Sequence, residues 1–150
     1  MYIQTSGPIA TGEYYIRNKA TGLALDANTK AYAQLSHGHP RVFMWNLNQQ
    51  APNHKWTLEQ QPNGTYLIKT RYHGQDMALD GNTGVPQSGT HPAPFLYTAT
   101  PHAPNHQWWL KPMNGAYLIV NAANGLALDG NTSGNNQHNH QHPSPFLYAE

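Results

Sequence analysis

The 150-residue chain contains no cysteine and very little charge. The missing thiols exclude disulfide bonds, a thiolate metal site and a cysteine nucleophile. Only 10% of the residues are charged, and 8 Lys+Arg against 7 Asp+Glu leave a net charge of +1, so no nucleic acid partner is expected. Neither a signal peptide nor a membrane span is found. These absences predict one domain in a cytoplasmic or non-classically secreted protein.

Neutral polar residues take the place of charge, and they occur in a threefold repeat. A Gly-x-Tyr-x-Ile block occupies residues 12–16, 64–68 and 115–119. An Ala-Leu-Asp block that continues into a turn occupies 24–29, 78–83 and 127–132. A His-Pro-x-x-Phe block that ends on an aromatic residue occupies 39–45, 91–97 and 142–148. An Ala-Pro-Asn-His-x-Trp block occurs twice, at 51–56 and 103–108.

Each repeat holds four short apolar runs separated by Gly, Asn and Pro clusters, a pattern typical of strands. In the first repeat the strands are predicted at 14–17, 23–26, 42–45 and 55–60. The fold class is therefore all-β, with single-domain repeats at about 12–60, 64–111 and 115–150. The third repeat is one strand short, and residues 1–4 are predicted to supply the missing strand.

The two Asn-His-x-Trp blocks resemble the Asn-Gln-x-Trp signature that ends the repeats of the ricin B-type (R-type) β-trefoil lectins. Within that family, a cysteine-free chain of this length is most similar to the β-trefoil lectins of mushrooms. The resemblance implies a β-trefoil of three four-stranded repeats with pseudo-threefold symmetry, with the N-terminal strand closing the third repeat. The sequence departs from the signature twice, because His54 and His106 stand in place of glutamine and the third repeat has no copy.

The resemblance also implies where sugar binds. In that family an Asp after the second strand, an aromatic residue on the third strand and an Asn before the signature Trp hold galactose or N-acetylgalactosamine. The first sugar-binding site is then Asp26, Trp45, Asn53 and His54, and the second is Asp80, Tyr97, Asn105 and His106. A third, incomplete site keeps Asp129 and Tyr148. The loop histidines next to these sites are His39, His91 and His142.

The residue types themselves suit a sugar. A carboxylate accepts hydrogen bonds from two hydroxyls, an aromatic ring packs on the C–H face of a pyranose, and an amide both donates and accepts. Structural roles are the alternative, since Asp-Gly-Asn-Thr is good turn chemistry, the aromatic residues could pack at a rim, and proline alone stiffens a loop. Trp56 and Trp108 are predicted to be core anchors.

The expected function is multivalent, non-enzymatic binding of galactose- or N-acetylgalactosamine-containing glycans, with affinity raised by several sites or by a homodimer. No catalytic motif is found, and the repeated carboxylates are spread over different repeats. The alternating histidines at 138–142 favour a polar loop over a metal site, so no metal or cofactor is expected. The alternative function is that of a β-trefoil protease inhibitor that acts through exposed loops.

Overall fold

The computed structural model of the chain describes residues 9–27, 35–36, 39–72, 74–81, 93–130, 137–138, 142–143 and 145–149, with backbone only at 35, 36, 39, 72, 137, 138, 142, 143 and 149. The first repeat contains β1 (Gly12–Tyr14), β2 (Ala24–Asp26), β3 (Leu35–Ser36), β4 (His39–Pro40), β5 (Phe43–Trp45) and β6 (Trp56–Gln60). The second contains β7 (Tyr66–Tyr72), β8 (Gln75–Asp80), β9 (Phe95–Thr98) and β10 (Trp108–Met113). The third contains β11 (Ala116–Asn121), β12 (Leu126–Asp129), β13 (Gln137–His138), β14 (His142–Pro143) and β15 (Phe146–Ala149).

The first and last strands of the repeats form a barrel wall in the order β1-β6-β7-β10-β11, all antiparallel. Side chains on these strands alternate between core and surface, as the period-two geometry of a strand requires. Leu58 lies opposite Ile68 in the β6–β7 register, and both are buried in one apolar cluster. The same cluster contains Trp56 and Trp108, so their predicted role as core anchors is confirmed.

The middle strands of each repeat form a hairpin that covers one end of the wall: β2 with β5, β8 with β9, and β12 with β15. Leu25 lies opposite Met44, and both point into the core. Asp26 and Trp45 therefore lie on the other face of the hairpin. The same register recurs in all three repeats, and the predicted threefold all-β architecture is confirmed.

Two local features differ from the sequence prediction. The first strand was expected at 14–17, but β1 ends at Tyr14, because the next residues turn to pair with the second strand: the Leu25 N–H donates to the Ile16 carbonyl at 2.8 Å. The Asn-His pairs were not expected to be helical, yet they form short 3₁₀ helices, η1 (Pro52–His54) and η2 (Pro104–His106). Proline at the first position suits this turn, since its fixed φ is helical and its missing N–H is not needed there.

The closing strand predicted at residues 1–4 lies outside the described residues and stays a prediction. An apolar cavity of about 740 Å³ lies between β1 and β11, with Ile9, Tyr14 and Ile119 in its lining. Within the described ranges, no helix has the length and apolar character needed to cross a membrane.

Candidate functional site

The carboxylate of Asp26 lies at the end of β2, on the hairpin face that points away from the core. Its partner in the register is Phe43, which was predicted as a core residue and is buried on this second face. Asp80 ends β8 in the same way, opposite the buried Phe95. Because a strand presents alternate residues to opposite faces, each Asp shares its face with the aromatic residue two positions along the partner strand.

In the first repeat, four hydrogen bonds join the end of β2 to the segment from Asn53 to Trp56. Asn53 Nδ2 donates to Asp26 Oδ1, and His54 Nε2 lies 2.8 Å from Asp26 Oδ2; both distances are the same. The Trp56 indole N–H donates to the Leu25 carbonyl at 2.9 Å. The backbone N–H that follows Asp26 donates to the Asn53 carbonyl at 2.9 Å. Asp26 is thus positioned by η1, although 28 residues separate it from His54.

The second repeat makes the same four bonds. Asn105 Nδ2 donates to Asp80 Oδ2, and His106 Nε2 contacts the same oxygen, both at 2.9 Å. The Trp108 indole N–H donates to the Leu79 carbonyl at 3.0 Å. The Gly81 N–H donates to the Asn105 carbonyl at 2.9 Å. The sequence-predicted Asp, Asn and His of both repeats are therefore brought together.

The hydrogen bonds also define the tautomer of each histidine. The Asn48 N–H donates to His54 Nδ1 at 3.0 Å, and the Thr100 N–H donates to His106 Nδ1 at 3.1 Å. A nitrogen that accepts a hydrogen bond carries no proton, so in both neutral rings Nε2 carries it and donates to the Asp. Both histidines are only 1% exposed. They lie behind the carboxylates, away from solvent.

The aromatic residues predicted to face the sugar are exposed. Trp45 on β5 is 42% exposed and Tyr97 on β9 is 44% exposed. The Tyr97 ring meets the His106 ring edge-on, with 6.1 Å between the ring centroids. Each repeat thus offers an exposed ring on the same hairpin face as a hydrogen-bonded carboxylate, a combination suited to a neutral ligand with hydroxyl groups and an apolar face.

A family model described as a ricin-type beta-trefoil lectin domain-like domain matches residues 3–92 of this chain. The chain belongs to that family. Carbohydrate binding is the activity that membership of this lectin-like family indicates. A search of curated proteins found no match.

Solved structures agree on the trefoil fold. A designed 3-fold symmetric protein, ThreeFoil, is 23% identical with a TM-score of 0.69, over 92% of this chain and 89% of that one. The C-half of the earthworm R-type lectin in complex with GalNAc is 17% identical with a TM-score of 0.52, over 92% and 98%. A GlcNAcα1-4Gal-releasing endo-β-galactosidase from Clostridium perfringens is 18% identical with a TM-score of 0.59, over 92% of this chain and 32% of that enzyme.

The following repeat supports each site of this lectin-like domain. Asn121, at the end of β11, donates from Nδ2 to the Asn105 carbonyl at 2.9 Å and is completely buried. A Cβ at Gly81 would overlap the Asn121 amide, so this close packing requires glycine. The first repeat has Ala27 in place of Gly81, and there the smaller Thr70 takes the position of Asn121. Sequence analysis missed this pair of residues, although the repeat shows that glycine goes with Asn and alanine with Thr.

The size match between repeats can be tested with Gly81→Ala. We expect this substitution to lower the free energy of unfolding by about 1–3 kcal/mol, because the added methyl group overpacks a buried contact. Adding Asn121→Thr, which copies the Ala–Thr pair of the first repeat, should recover part of the loss. Urea unfolding of both single variants and the double variant measures the coupling. Strictly additive effects would show that the two positions do not pack as described.

The third repeat and the loop histidines are described less completely. Asp129 lies opposite Phe146 in the β12–β15 register, and Tyr148 is exposed, as in the other two repeats. Of His39 and His142 only the backbone is described, in β4 and β14, and His91 lies outside the described residues, so their predicted sugar contacts stay predictions. In the part of the chain that the structure describes, no group of three His, Asp or Glu side chains could hold a metal ion.

Proposed function

We propose that this protein is a multivalent, non-enzymatic lectin for terminal galactose or N-acetylgalactosamine. The first site is built around Asp26, Trp45 and Asn53, and the second is built from Asp80, Tyr97 and Asn105. Galactose presents adjacent hydroxyls to a carboxylate and an apolar C–H face to an aromatic ring. Two shallow sites on one chain cross-link glycans and raise the affinity through avidity.

The observation that carries this proposal is the duplicated arrangement of one carboxylate, one amide and one exposed ring. A structural turn role for Asp26 and Asp80 alone does not require an Asn53 or Asn105 amide at 2.8–2.9 Å, nor an exposed ring on the same face. Amide and imidazole donors orient the carboxylate before a ligand arrives, which lowers the entropic cost of binding.

His54 and His106 take a supporting role in this proposal. The resemblance places them among the sugar contacts, but their burial and their Nε2 bonds point to action through Asp26 and Asp80. Each histidine shields one side of the carboxylate from water and holds it in one rotamer. A carboxylate held in this way keeps its orientation when the sugar leaves.

The site chemistry favours binding without catalysis. Glycoside hydrolysis requires two carboxyl groups facing each other across the scissile bond, about 5 to 10 Å apart. Asp26 and Asp80 belong to different repeats, and each is engaged by its own Asn and His. The likeness to the endo-β-galactosidase covers 32% of that enzyme's chain and concerns the fold.

A glycan array tests the proposal with the wild-type protein and two variants. We expect the wild-type protein to bind galactose-terminated glycans and to be displaced by lactose and by N-acetylgalactosamine. Trp45→Ala combined with Tyr97→Ala should weaken binding about tenfold, because the C–H face of the sugar loses its ring. Trp109→Ala is the matched control, because Trp109 is also exposed (39%) but lies on the barrel strand β10, outside the hairpin face.

Agglutination of red cells and inhibition of trypsin and papain should be measured in parallel. Agglutination that lactose reverses supports the lectin. Protease inhibition by a protein that binds no glycan would reject it in favour of the trefoil inhibitor.

A further inference from the structure

The two sites contain a titratable side chain where the resembled signature has a neutral amide. His54 and His106 occupy the position of its glutamine. Each imidazole accepts a backbone N–H at Nδ1, from Asn48 or Thr100, and donates from Nε2 to the site carboxylate. A glutamine side chain has one oxygen to accept and one NH₂ group to donate, so it supports the same two bonds at any pH. Only histidine gains a proton in mildly acidic solution.

Protonation of the ring removes an acceptor that the structure uses. A proton on His54 Nδ1 would face the Asn48 N–H at a separation of 3.0 Å, so two donors would point at each other. Because the ring is buried, water cannot readily replace the lost bond. The new positive charge on the ring also attracts the Asp26 carboxylate, whose oxygens then become poorer acceptors for a sugar hydroxyl. Both effects weaken the site.

Few other charges face these rings. Asp26 contacts His54, and Asp80 contacts His106. On β7, which packs against η1, Lys69 is paired with Glu59 and Arg71 with Asp76 on β8.

The second ring has a similar environment. The Tyr97 phenol ring meets His106 edge-on, and β11, which packs against η2, carries Tyr117 as its ionisable residue and no charged side chain. The site carboxylates are therefore the charges in direct contact with both imidazoles among the described residues.

We propose that His54 and His106 are positioning residues that couple glycan binding to pH: the neutral imidazoles orient Asp26 and Asp80 for a galactose-type sugar, and their protonation releases it. This inference rests on the proposed function. The chemistry predicts tight binding at neutral pH and release of the glycan in a mildly acidic environment.

The test compares lactose affinity at about pH 7.5 and about pH 5.5, a range that spans the ordinary titration of histidine. We expect the wild-type affinity to fall about tenfold across this range, equivalent to one pH unit of linkage. His54→Gln combined with His106→Gln should bind with an affinity that does not change over the range. His102→Gln, on an exposed loop residue, is the control and should keep the wild-type profile. All other histidines are present in both proteins and affect both profiles equally.

Titration of the imidazole ¹⁵N resonances in the wild-type protein provides a second measurement that needs no variant. Because binding and protonation are linked reciprocally, lactose should shift the titration of the two buried rings to lower pH. Identical pH profiles for the wild-type and glutamine proteins, or ring titrations that lactose does not move, would overturn the inference. A folded wild-type protein that binds no lactose at either pH would instead overturn the proposed function, and with it the inference.

Discussion

Replacing Asp26 and Asp80 together by alanine is expected to abolish glycan binding. Each substitution removes the acceptor for the sugar hydroxyls and frees the Asn and His donors that hold the carboxylate. The buried donors lose their partner, so we expect a cost of about 1–3 kcal/mol in unfolding free energy per site. The domain should still fold, because its core is not touched. A glycan array measures the binding, and circular dichroism checks the fold.

Single variants and a control sharpen this experiment. Asp26→Ala alone should retain sugar binding at the second site but lose agglutination, since one site cannot cross-link two cells. Asp76→Ala removes an exposed carboxylate from β8, the same strand as Asp80, and should bind like the wild-type protein. Undiminished binding by the double alanine variant would remove Asp26 and Asp80 from the site.

Trp108→Ala is expected to have the largest effect on stability. Trp108 is completely buried, and its indole N–H donates to the Leu79 carbonyl next to Asp80. Loss of a buried Trp side chain costs about 3–5 kcal/mol, and the unpaired carbonyl adds to it. For a domain of this length we expect the Tm to fall by roughly 10 °C. Thermal and urea unfolding measure the change.

The adjacent Trp109 is the matched control, because the same residue type one position along the strand points outward. We expect Trp109→Ala to change the unfolding free energy by less than about 1 kcal/mol. Equal losses for the two substitutions would contradict the assignment of Trp108 to the core. Weaker glycan binding by folded Trp108→Ala is also expected, since its indole anchors the strand end that carries Asp80.

Much of the candidate site could be predicted from the repeat. The turn residues and short apolar runs are local signals, and they placed Asp26, Trp45 and Asn53 at corresponding points of each unit. The bounds of β1 could not be predicted, because Ile16 is extended in either case and only pairing with Leu25 decides its partner. The 3₁₀ helices were also missed, since Ala-Pro-Asn-His is too short to show a period.

The sequence by itself determined the threefold all-β plan and the residue types of the sites, because strand alternation and turn chemistry act over a few residues. Only the tertiary structure decided which of these residues face solvent and which lie behind the site. His54 reaches Asp26 through the packing of η1 on β2, a contact across 28 residues. Asn121 reaches the second site from another repeat. Such contacts depend on how strands associate in space, and no local pattern contains that information.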